Sequence, residues 1–96
     1  MAIKLYANSY RNIAGAATTV IKSTAGVIKR VIVNKAVASS VITVYDNTAA
    51  SGTKIATITQ PAVLLASTVS LDFDCAFATG LTVVTSAADD ITVVYR

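Results

Sequence analysis

Asp72 and Asp74 stand two apart in the run STVSLDFD (residues 67–74), so on a strand their carboxylates project side by side from one face. Two such groups could bridge a hard cation such as calcium, the more so if Asp89 or Asp90 came near. No loop of EF-hand spacing accompanies them, and solvated carboxylates on a strand are the commoner meaning of the pattern, so no metal site and no cofactor is assigned. Lys22, Lys29, Arg30 and Lys35 form the densest basic group. Within one strand Lys29 and Lys35 share a parity and Arg30 takes the other, which predicts no flat basic stripe. The segment also lacks the stacking aromatics that nucleic-acid binding requires. Tyr6, Tyr10, Tyr45 and Tyr95 are the rings able to make protein or carbohydrate contacts, or equally to cap the edge of a core. Together these give one candidate partner-binding set: Tyr10, Arg11, Lys22, Lys29, Arg30 and Lys35.

Catalysis has little to work with. The chain has no histidine, no glutamate and no tryptophan, which removes the commonest general base, the His-bearing triads and the His-containing zinc sites together. Gly15, Gly26, Gly52 and Gly80 stand singly and far apart, so no phosphate-cradling loop exists. The reading is of a protein that is not an enzyme.

A length of 96 residues predicts one domain spanning 1–96, long enough to bury a core without disulfides or metal. The unusual feature is 54% hydrophobic residues with 14% charged, a mean hydropathy of +0.65, more apolar than one small core absorbs. No apolar run approaches the ~18 residues of a spanning helix. The polar residues after Lys4 interrupt any signal-peptide core, and the single Cys75 fits a chain made in a reducing cytosol. Charge is split along the chain: residues 1–35 carry six cations and no acid, while residues 36–96 carry Lys54 and Arg96 against five aspartates. Such polarity predicts contact between copies or with an oppositely charged neighbour.

The elements that must position these groups are strands. Residues 1–7 alternate Ile3, Leu5 and Ala7 against Lys4 and Tyr6, a half-buried strand, and residues 8–14 (NSYRNIA) read as a loop presenting Tyr10 and Arg11. AATTVIK leads to a turn at 23–26, after which VIKRVIVNKA is the longest strand, β-branched enough to exclude helix. The hairpin over residues 41–58 (VITVYD, NTAASG, TKIATI) is the seat of the fold, and Gln60-Pro61 ends its ladder. Residues 62–66 fit either a buried helical turn or a crossover. Residues 67–74 resume alternation, with Val69, Leu71 and Phe73 inward and Ser70, Asp72 and Asp74 outward. A turn at 76–80 anchored by Phe77 precedes two closing strands, LTVVTS and ITVVYR. About eight short strands predict an all-β, single-domain antiparallel β-sandwich, jelly-roll-like. Val31-Ile32-Val33, Val83-Val84 and Val93-Val94 place aliphatics on both faces, which predicts packing between subunits in a homo-oligomer, a trimer by preference.

The strings GVIKRVIVNKA, VITVYDNTAASGTKIAT, LDFDCAFATGLTVVTS and DITVVYR resemble the small β-sandwich virion proteins of tailed bacteriophages, of the head decoration, cement or head-fibre type. The resemblance covers most of the chain after residue 25. It implies a structural protein of the virion, made in the host cytoplasm, present in many symmetric copies and acting through contacts with itself, the major capsid protein or other virion proteins. Neither nucleic acid nor membrane is an expected partner. The alternative is a tail- or fibre-associated host-recognition module that binds a surface glycan through tyrosines such as Tyr10; a cellular sugar-binding or adhesion domain is a third reading, weakened by the absence of a signal peptide.

Overall fold

Short β-branched runs separated by small-residue turns form eight strands: β1 (Ser9–Ala14), β2 (Ala17–Lys22), β3 (Gly26–Lys35), β4 (Val41–Tyr45), β5 (Lys54–Thr59), β6 (Val69–Phe77), β7 (Leu81–Thr85) and β8 (Asp90–Tyr95). The computed structural model describes residues 7–64 and 68–96. All pairings are antiparallel, and the strands form two four-stranded sheets, A in the order β1-β8-β3-β6 and B in the order β2-β7-β4-β5. The chain changes sheet at every connection except the β4–β5 hairpin, which makes the antiparallel β-sandwich a jelly roll. Among the described residues there is no helix, and so none long and apolar enough to cross a membrane.

The core lies between the sheets and is built by alternation. Ile91 and Val93 of β8, Ile42 and Val44 of β4 and Leu81 and Val83 of β7 point inward, while Thr92, Val94, Thr43 and Val84 point out. Phe77 closes β6 as a buried anchor, against the start of β3. There Gly26 is required by close approach: a Cβ would collide with the carbonyl oxygen of Arg96, which accepts from Val27 N–H at 3.0 Å and fastens β3 to the end of β8. The hairpin loop after β4 is compact. Asn47 Nδ2 donates to Ser51 O at 2.8 Å, and Gly52 takes a φ of 82° that few side chains tolerate.

Two expectations change, and a choice left open is narrowed. Residues 9–14 are not a loop but edge strand β1, paired along its whole length with β8 from Ser9↔Tyr95 to Ala14↔Asp90. Only Ile13 of that strand is buried, so the sequence carried almost none of the alternating signal by which a strand is read. Second, the parity of Lys29 and Arg30 is broken by a bulge. β3 uses three steps between the inward residues Ile28 and Val31 where β8 uses two between Tyr95 and Val93, and β6 uses four between Cys75 and Leu71. β3 thus has one residue more than β8 here, Lys29 and Arg30 standing where β8 has Val94 alone, and both reach the outer face. Asp74, at φ 49°, sits at the matching irregularity of β6. Of the two readings of residues 62–66, residues 62–64 form no helix and lie exposed in the β5–β6 connection, which crosses from sheet B to sheet A. Residues 65–66 and the strand expected at 1–6 lie outside the described residues.

Candidate functional site

The outer face of sheet A gathers six charged side chains, Lys29, Arg30, Lys35, Asp72, Asp74 and Asp90. Rows run across its strands by register: Tyr10, Val94, Arg30 and Asp72 form one, and Asn12, Thr92, Ile32 and Ser70 the next. Lys29 Nζ lies 3.0 Å from Asp74 Oδ1 and Arg30 Nε 3.4 Å from Asp72 Oδ1. The two carboxylates thus share a face as expected, but each is engaged by a cation of the neighbouring strand rather than left to bind a metal. Among the described residues no three of His, Cys, Asp and Glu come together.

Beside this pair of bridges is a denser network centred on β8. Asp90 Oδ1 accepts from Asn12 Nδ2 at 2.8 Å and from Asn34 Nδ2 at 3.1 Å; Thr92 Oγ1 accepts from Asn34 Nδ2 at 3.0 Å and from Asn12 Nδ2 at 3.4 Å. Asn12 Nδ2 also donates to the Ile91 carbonyl at 2.9 Å. The amide of Asn12 first, then that of Asn34, and lastly the charge of Lys35, hold the Asp90 carboxyl below its ordinary value against a partial opposing effect of burial. Asp46, just after β4, is held low in the same way. It accepts from the backbone N–H groups of Ala78, Thr79 and Gly80 at 2.9, 2.9 and 3.4 Å, which fastens the β6–β7 turn to the hairpin loop.

A folded-state pKa below the unfolded value of 3.8 means that each group stabilises the fold fully above that value and loses its effect as pH falls through the lowered one. Melting temperature is therefore expected to hold from neutral pH to about pH 5 and to fall below it, with a shallower fall in Asp46→Asn. Identical acid limbs in melts of the two proteins would overturn the role given to Asp46.

Of the six residues named from sequence, the structure brings four to one face: Tyr10, Lys29, Arg30, and Lys35, which stands at the register position of Asp90. Arg11 does not join them. It pairs with buried Val93, on the inward side of the edge strand, and Lys22 closes β2 on the other sheet, opposite Leu81. Asn12, Asn34 and Thr92 are not among the residues named from sequence, and Asp90, weighed there only as a possible cation ligand, joins them instead. Asparagine is disfavoured within strands, so two of them in otherwise β-branched runs were the available signal.

The split of charge along the chain is absorbed by topology. β3, from the basic part, lies between β6 and β8, from the acidic part, and its cations meet their aspartates within one sheet. A cavity of about 340 Å³ opens between the edges of β5 and β6, lined by Val33, Ile58, Pro61, Val63, Leu64 and Leu71 among others, and presents no titratable group. No family model, curated protein or solved structure matches this chain, so any function must be argued from its own residues.

Proposed function

We propose that this chain is a structural protein of a bacteriophage virion, a capsid decoration or cement protein that braces the shell through protein–protein contacts, without catalysis, as a homo-oligomer and by preference a trimer. One observation carries the reading: the outer face of sheet B is uncharged from one edge nearly to the other. Its rows are Thr18, Val84, Thr43 and Thr57, and then Val20, Thr82, Tyr45 and Lys54, where Thr82 is buried with its hydroxyl donating to the Asn47 carbonyl and the lysine stands at the corner. Such a face binds other protein better than it binds water-soluble ions.

The edges support the same reading. β1 carries Arg11 on its inward side, β6 carries a bulge with Asp72 and Asp74, and β5 begins with Lys54, contains an irregularity and is followed by Pro61. These are the devices by which an edge refuses a further strand. β2 from Ala17 to Ile21 has no charge and no proline, and its Val20 is 46% exposed. The resemblance of the sequence to virion proteins, whose copies contact one another in symmetric shells, agrees with a surface of this kind.

Light scattering at tens of micromolar is expected to give a multiple of 9.9 kDa. Val20→Lys, at an exposed position, is expected to return the mass to the monomer with an unchanged melting temperature. A wild-type monomer would remove the oligomeric part of the proposal. Shells that lack the protein yet withstand heat and low salt as well as complete ones would remove the bracing part.

A further inference from the structure

We propose that the outer face of sheet A is a saccharide-binding platform, with Tyr10 as its stacking ring and the network of Asn12, Asn34, Asp90 and Thr92 as its polar floor. This goes beyond the structural role, which uses the opposite face of the sandwich and leaves this one in solvent. Tyr10 is 74% exposed and follows the same outward parity as Asn12, two residues along β1 and about 7 Å away. A ring that open, standing over half-buried Val94 rather than capping the core, offers an apolar plane with a polar tip.

The chemistry of the ligand follows from what the network leaves open. Both asparagine amides spend their Nδ2 atoms on Asp90 Oδ1, Thr92 Oγ1 and the Ile91 carbonyl. An amide oxygen lies on the other side of its carbon, so Asn12 Oδ1 and Asn34 Oδ1 point away from these bonds. They and Asp90 Oδ2 accept no hydrogen bond from the described residues. Thr92 Oγ1 receives both amides, which leaves its own proton to be donated elsewhere. The face therefore presents three acceptors and one donor, held in place before any ligand arrives.

Adjacent hydroxyls of a pyranose, each able to donate and accept, match that set, and the apolar side of the sugar ring matches Tyr10. An anion is disfavoured by the Asp90 carboxylate. A hard cation is disfavoured because that carboxylate is single and Lys35 already stands beside it.

The test is a titration of nitrogen-15-labelled protein, followed through the side-chain amide signals of Asn12 and Asn34, in chelator-treated buffer. The probes are glucose-, galactose- and N-acetylglucosamine-based oligosaccharides, with calcium chloride as a separate arm. The expected result is saturable shifts of both amides with at least one oligosaccharide, and binding weakened about tenfold in Tyr10→Ala and in Asn34→Ala at wild-type folding. Absence of shifts with every oligosaccharide, shifts that survive Tyr10→Ala undiminished, or the same shifts produced by calcium alone would each overturn the proposal.

Discussion

Asp89→Ala is expected to lower the melting temperature by roughly 15 °C, from a loss of about 3 kcal/mol. Asp89 is fully buried, and its Oδ2 accepts from the Ser40 hydroxyl at 2.7 Å and from the Val37 N–H at 3.1 Å. Its own carbonyl accepts from Gly15 N–H at 3.1 Å. Three connections, β1–β2, β3–β4 and β7–β8, thus meet at one residue on one end of the sandwich. Alanine keeps the backbone bond but strands a buried hydroxyl and a backbone N–H, each of which costs about 1–3 kcal/mol without a partner. The Asp89→Asn variant keeps one side-chain oxygen able to take both bonds, so its loss is expected to be less than half as large. Thermal melts of the three proteins decide the matter. An alanine variant within a few degrees of wild type would mean that the end loops are held by something else.

Much of the fold was legible because the strands that build the core announce it. Ile91 and Val93, Leu81 and Val83, and Leu71 and Phe73 alternate with polar or exposed residues, and period two leaves one solution for which side is inward. The same rule, carried one step further, makes Asp89 inward and Asp90 outward, so the buried carboxyl was within reach of the sequence, although both aspartates were weighed there only as possible cation ligands. What could not be read has a common cause, since it depends on partners distant in the chain. β1 is a strand because β8, some 80 residues on, supplies its hydrogen bonds, with pairs such as Asn12↔Thr92. The Asn12–Asp90–Asn34 cluster exists because the jelly roll sets β8 between β1 and β3. Local propensity contains neither fact.

The two outer faces explain an excess of apolar residues that seemed to call for subunits on every side. Ile32 and Val94 on sheet A are half-buried beneath charged and amide side chains, and only sheet B leaves its β-branched residues uncharged over the whole width. A need for cover remains on one face and one edge, which is a narrower demand than composition implied.

The bulge in β3 gives the sharpest way to separate backbone from side chain. Deleting Lys29 is expected to cost little more than Lys29→Ala, which is expected to cost less than about 1 kcal/mol. The side chain makes one exposed ion pair with Asp74, and the residue itself is the one extra step that β3 takes against β8. Without that step Arg30 follows Ile28 directly, and period two counted back from inward Val31 leaves Arg30 outward and Ile28 inward, so the core side of β3 is kept. Chemical denaturation of the deletion and of the alanine variant, compared by midpoint at equal slope, tests this. A deletion variant less stable than Lys29→Ala by about 3 kcal/mol or more would show that the bulge itself, and not only the inward placing of Ile28, holds β3 in register with its neighbours.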